Sequence, residues 1–329
     1  MFYRQLIHYI LAGCLLGLAN ASAVIAQTTG KITYPTKPIR LLLGFAPGGG
    51  SDTLARLIGQ PLSERVGQPI VIDNRPGGNG VIAMNLAANS QPDGYTLMLL
   101  SNSSAVSAAW VTRVPYDVKK AFSPIGLLVV QPYVLLVSGS IPVKSVSELI
   151  TYAKDRNGKL DYGSAGHGSS AHFGMELIKH MAKVDITHIP YKGIGPAFVD
   201  LAGGRIQMLF ASAVSAGNAV RTGKIRAIAV GSPKRSQGLP ELPTISEAGL
   251  PGFELTGWYG LVGPAGMPAS IVALINREIE QVLNSPKLKT RLASDGSEVA
   301  TGTPTELQKM LTSELDRWGK LIKQANLKL

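Results

Sequence analysis

Cysteine is almost missing from this chain. The one thiol, Cys14, lies near the N-terminus, which excludes a disulfide framework and a thiolate metal cluster. Aromatic residues make up 6% and no run of five Lys or Arg occurs. A nucleic-acid stacking platform and a disordered basic tail are therefore not expected. After the N-terminal segment no uninterrupted apolar run is long enough to span a bilayer. Several signatures of chemistry are also missing. Gly48 and Gly50 are followed by Thr53 where a dinucleotide fingerprint needs glycine, and no Gly-Lys-Ser/Thr P-loop is present. H-E-x-x-H and G-x-S-x-G do not occur, nor does a repeat of 20–50 residues. No cofactor, no metal and no nucleic acid are expected.

What is present is globular: 329 residues, 45% hydrophobic and 16% charged, enough for about two domains. The formal charge of +11 favours anionic partners, and scattered basic residues point to small carboxylates or phosphates. Arg4 is the one charge in residues 1–30, followed by an apolar run over 10–18 and alanine-rich sequence to Ala26. This reads as a signal peptide over 1–26, with Val24-Ile25-Ala26 as the cleavage site and Ala21 or Ala23 as alternatives. Leu11-Ala12-Gly13-Cys14 resembles a lipobox, but apolar sequence continues beyond it. A lipoprotein is the alternative to a cleaved, exported, periplasmic protein.

Along the rest of the chain, strand-like runs at 39–43, 70–73 and 96–100 alternate with helical spacing at 51–66 and 81–89. This order predicts an α/β fold with a parallel sheet. The loops 44–50, 74–80 and 101–104 then converge at the carboxyl ends of the strands, where ligands bind in such sheets. Pro61 is expected to end or kink the first helix, and Ser101 to Ser104 to form a polar loop. A second series begins near Phe122, with a capping box at Ser145 and Glu148, a glycine-serine loop at 165–169 and a helix from Ser170. A strand over 257–262 could return to the first series.

Phe45-Ala46-Pro47-Gly48-Gly49-Gly50-Ser51-Asp52 is the most informative segment. Glycines let backbone approach a ligand, and a helix N-terminus offers unsatisfied N–H donors and partial positive charge. The bland alternative is a tight turn capped by Ser51 or Asp52. Gly49, at the loop's centre, is expected to need glycine. Tyr162 to Ser170 repeats the same device, against the alternative of a flexible glycine loop. His167, His172 and His188 match no zinc spacing, and exposed or capping histidines are expected. No nucleophile–base pair is evident.

Taken in order, these segments resemble the Bug/TctC family, the extracytoplasmic receptors of tripartite tricarboxylate transporters. The matching stretches are 34–40, Pro47-Gly48-Gly49-Gly50-Ser51-Asp52 with Arg56, and Val71-Ile72-Asp73-Asn74-Arg75-Pro76-Gly77-Gly78. They continue with Pro92-Asp93-Gly94-Tyr95, Pro115-Tyr116-Asp117, Ser164-Ala165-Gly166-His167-Gly168-Ser169, His188-Ile189-Pro190-Tyr191-Lys192-Gly193, 239–249 and 258–264. The resemblance implies a two-lobe periplasmic-binding-protein fold, type II-like, with the ligand cleft between lobes. Lobe one is expected at 34–130 plus 258–329, and lobe two at 131–257. It also implies a carboxylate ligand held by backbone amides, hydroxyls and bridging waters.

The expected contacts are Phe45, Pro47, Gly48, Gly49, Gly50, Ser51, Asp52, Asn74, Ser101, Asn102 and Ser103 from lobe one. From lobe two they are Ser164, Ala165, Gly166, His167, Gly168, Ser169, Ser170, Tyr191, Ala211 and Ser212. Many relatives carry Asp or Asn after the strand ending at Phe210. This chain has Ala211-Ser212-Ala213, which favours an acid without an ammonium group. The reading is a monomeric, non-catalytic receptor that captures a small organic carboxylate for the membrane permease subunits of a tripartite tricarboxylate transporter. The alternatives are an exported hydrolase or isomerase using His167 or His172, and a receptor serving a sensor system.

Overall fold

The apolar run Ile39–Leu43 forms β1, flanked in parallel by β2 (Ile70–Asn74) and β3 (Thr96–Ser101). Helices α1 (Gly50–Val66) and α2 (Val81–Ala88) make the crossovers. The structure, a computed structural model, describes residues 33–112, 114–156 and 159–324. The predicted signal segment and Cys14 lie outside the described residues. Pro35–Leu329 forms one unit by its internal contacts.

Helix α3 (Asn102–Trp110) follows β3 directly, and a long strand β4 (Phe122–Ser138) comes next. The second series comprises α4 (Val146–Arg156), β5 (Asp161–Ser164), α5 (Ser170–Ala182), β6 (Thr187–Pro190) and α6 (Ile194–Ala202). It continues with β7 (Met208–Ser212), α7 (Ala213–Val220) and β8 (Ile225–Val230). The chain then returns through β9 (Thr256–Pro264), α8 (Ala269–Leu283), α9 (Pro286–Ser294), β10 (Glu298–Val299) and α10 (Pro304–Gln324).

The strand order is β2-β1-β3-β9-β4-β7-β5-β6, with β8 and β10 also pairing β4. Strand β4 changes partners along its length. Residues 122–132 pair antiparallel with β9, and 133–138 pair with β7 and β8. Its seventeen residues are nearly all buried, which accounts for two apolar stretches, 127–130 and 133–137, with no alternation of polar and apolar residues.

Three expectations need correcting. Helix α1 runs through Pro61, because Leu54 and Ile58 on one side of it and Leu62 on the other are buried and hold both ends to the core. Asn102 to Ser104 are helical and buried, not a polar surface loop. Ser101 caps them, its Oγ accepting from the Ser104 amide at 3.2 Å. Helices α7 and α9 were not anticipated.

Candidate functional site

The glycine segment before α1 forms an uncapped helix N-terminus. Gly49 takes the N-cap position without a side-chain cap, and the first intrahelical bond runs from the Thr53 amide to the Gly49 carbonyl at 2.9 Å. The amides of Gly50, Ser51 and Asp52 precede that bond, so the helix presents donors there. Asp52 folds back on the loop that leads into this end. Its carboxylate accepts from the Gly48 amide and from Arg56, each at 3.0 Å. Burial alone would raise the Asp52 pKa, but the Arg56 and Gly48 hydrogen bonds outweigh it and hold the carboxyl below its ordinary value.

Glycine is required at positions other than the central one. Gly48 has φ +86°, and a Cβ at Gly50 would overlap Ser212 Oγ and the Tyr259 hydroxyl. Gly49 has φ −85°, and a Cβ there would meet nothing nearer than 3.8 Å. The expectation of strain at Gly49 is therefore corrected.

Four helix N-termini meet around an inner cavity of about 50 Å³. Phe45, Gly49, Gly50 and Ser51 bring α1 to it, Ser101 and Ser103 bring α3, Ala165, Ser169 and Ala171 bring α5, and Ser212 and Ser215 bring α7. Tyr133, Ile194, Phe210, Ala211 and Tyr259 complete the wall. None of these lining side chains is charged at neutral pH. Tyr259 is pushed up to about 12 by burial, and burial raises Tyr133 further. Ser51 Oγ is buried without a protein partner, whereas Ser169 Oγ accepts from the His172 amide and Ser103 Oγ accepts from the Ser170 amide, each at 3.2 Å.

Tyr133, Ala171, Ile194, Phe210, Ser215 and Tyr259 were not anticipated. They sit on core strands or in helix first turns, where an apolar or small residue carries no distinguishing signal. An outer cavity shares Phe45 and Ala165 with the inner one and is lined also by Gly166, His167, Tyr191 and Lys192.

The remaining expected residues line neither cavity and act behind the wall. Asn74 Nδ2 donates to the Phe45 carbonyl at 2.9 Å. Asn102 Nδ2 donates to Ser170 Oγ at 3.1 Å. Pro47 and Gly48 lie against Gly195, and the Gly168 amide donates to His172 Nδ1 at 3.1 Å.

Ser164 lines neither cavity, and His172 and His188 depart from expectation, whereas His167 is exposed as expected. His167, His172 and His188 come together, with one ring nitrogen of each within 4.8 Å of the others. The rings of His172 and His188 stack, centroids 4.2 Å apart. Burial, reinforced by the neighbouring histidines, pushes His172 down to about 4 and His188 to about 3. His172 is thus buried and neutral rather than exposed. The Gly168 N–H on Nδ1 places its one proton on Nε2, so it has no lone pair to give a metal ion.

Ser164 Oγ and His188 Nε2 are 2.6 Å apart, a pair the sequence did not reveal. Ser164 is fully buried, and its hydroxyl also meets both the amide and the carbonyl of Gly166. It closes a turn.

The model of the tripartite tricarboxylate transporter family receptor matches residues 54–327. The chain belongs to that family. Solved structures agree. The periplasmic binding protein BugD is 31% identical with a TM-score of 0.85, over 90% of this chain and 99% of its own. R. palustris Rpa4515, solved with adipate, is 38% identical with a TM-score of 0.86, over 89% of this chain and 98% of its own. MatC from Rhodopseudomonas palustris, solved with malate, is 33% identical with a TM-score of 0.83, over 88% of this chain and 100% of its own. The fold and family are those of solute-binding proteins.

Proposed function

We propose that the inner cavity holds the carboxylate of a small organic acid, and that the protein delivers this acid to the permease of a tripartite tricarboxylate transporter. The observation that carries the reading is the uncapped N-terminus of α1, with Ser51 Oγ buried and unpartnered beside it. Such an end binds an anion through N–H donors and the helix dipole. The walls supply hydroxyls for a polar acid and the faces of Phe45, Phe210 and Tyr133 for its body. They offer no carboxylate to an ammonium group, which favours an acid without one. A volume of about 50 Å³, against the 10–15 Å³ a single water needs, suits a compact acid.

In this reading the lobes are 34–130 with 258–329 and 131–257, and the protein is an exported, non-catalytic, periplasmic monomer. No helix among the described residues is long and apolar enough to cross a membrane. That adipate and malate occupy two relatives supports dicarboxylates as the first class to screen. Calorimetry with an acid and its methyl ester tests the site. The ester should bind at least about tenfold more weakly, roughly 1.4 kcal/mol. Equal affinities would rule out recognition of the charge.

A further inference from the structure

The loop 45–48 before α1 and the segment 191–195 before and into α6 meet mainly through backbone, with the Cβ atoms of Phe45 and Ala46 packed beside Gly193. The Ala46 amide donates to the Lys192 carbonyl at 3.1 Å. A Cβ at Gly193 would lie 3.0 Å from the Ala46 nitrogen. A Cβ at Gly195 would overlap the Pro47 carbonyl oxygen, and one at Gly48 would lie 3.6 Å from the Gly195 Cα. The approach is this close because Gly193 and Gly195 carry no side chain to prevent it. The loop 45–48 hangs from β1, in the part of the sheet built on β2, β1, β3 and β9. Segment 191–195 follows β6, at the opposite end of the strand order. Phe45 and Ile194, on either side of the contact, both line the inner cavity.

We propose that this backbone contact is the latch that closes the cavity, and that Gly195 is the residue on which the closing depends. Gly193 and Gly48 have positive φ, +140° and +86°, so a side chain there would also strain the chain itself. Gly195 lies within α6, outside the positive-φ region. A methyl group at Gly195 acts mainly by holding Pro47 away. The contact contains one hydrogen bond and no ion pair, so it is weak enough to open without unfolding either part. The purpose assigned to the latch rests on the receptor reading, but its opening can be measured without any ligand.

The test is amide hydrogen exchange on the unliganded protein, comparing Ala46 with the interior of β1. A latch that opens locally lets Ala46 exchange roughly a hundredfold faster than the β1 amides, which wait for global unfolding. Gly195→Ala should remove the remaining protection at Ala46 and leave β1 unchanged. If Ala46 and β1 exchange together in the wild type, the contact is permanent and the proposal fails. It fails equally if Gly195→Ala leaves the Ala46 rate where it was. Adding adipate and malate separates the two readings. Slower Ala46 exchange on binding joins the latch to capture. Absence of binding by any organic acid removes the receptor reading, while the ligand-free comparison still decides the latch.

Discussion

A methyl group added at Gly49 and one added at Gly50 meet different surroundings, although the two glycines are neighbours. At Gly49 the new carbon makes ordinary contacts with the Ala46 carbonyl at 3.8 Å and Ile194 Cγ2 at 3.9 Å. At Gly50 it runs into Tyr259, which is held in the sheet by β9, and into Ser212. Gly49→Ala should therefore keep its acid affinity within about twofold, while Gly50→Ala should lose at least about tenfold, roughly 1.4 kcal/mol. Calorimetry on the two variants checks this, and equal losses would contradict the geometry. The sequence expectation of a glycine requirement fell on Gly49, whereas the crowding is at Gly50. A run of three glycines does not say which lacks room, because the obstacles, Ser212 and Tyr259, are far along the chain.

Among the elements, helix α5 and strand β6 stack a buried His172 on a half-buried His188 in place of an apolar contact. His172 has a pKa of about 4 against an ordinary 6.5, so the folded state binds fewer protons than the unfolded chain between those values. Stability is then full above about pH 6.5 and declines as the pH falls toward 4. For His172 alone the loss is on the order of 1 kcal/mol near pH 5.5; His188 adds to it with the same sign. His172→Asn keeps an acceptor for the Gly168 amide and removes the titration. Its melting temperature should fall less steeply between pH 7 and about pH 5 than that of the wild type; parallel curves would refute the assignment. Legibility varied in the same way across elements. β1 was legible to the residue through its apolar run, and α1 to within one residue through helical spacing. Helix α3 was not, because Asn102-Ser103-Ser104 resembles a surface loop until tertiary packing buries it. The histidine cluster was equally hidden. Spacings of five and sixteen residues carry no pattern, and stacking follows only when β6 is laid beside β5.

At the scale of the whole molecule, β4 joins the two parts of the sheet as one continuous strand, with its partners changing between Pro132 and Tyr133. A bend at that point and where β9 begins would let the latch separate while each part keeps its own pairing. Saturation with a bound acid should then lower the radius of gyration in solution scattering without change in helix or strand signal. Identical scattering curves with and without ligand would mean that capture needs no such motion. The lobe boundary expected at 130/131 falls beside this exchange of partners, where Gln131 and Pro132 interrupt the apolar run; the pairing of one strand with two parts of the sheet was not itself anticipated.

The cavity wall is uncharged, yet the chain carries a formal charge of +11, and this divides arrival from retention. The positive charge lies outside the wall, where dissolved ions screen it over a Debye length. It acts on the rate at which an anion finds the protein. In the proposed reading the enclosed acid is held by amides and hydroxyls shielded from salt. Raising the ionic strength should therefore slow capture and leave residence time nearly unchanged, so that the protein meets its ligand as a charged body and keeps it as a neutral one.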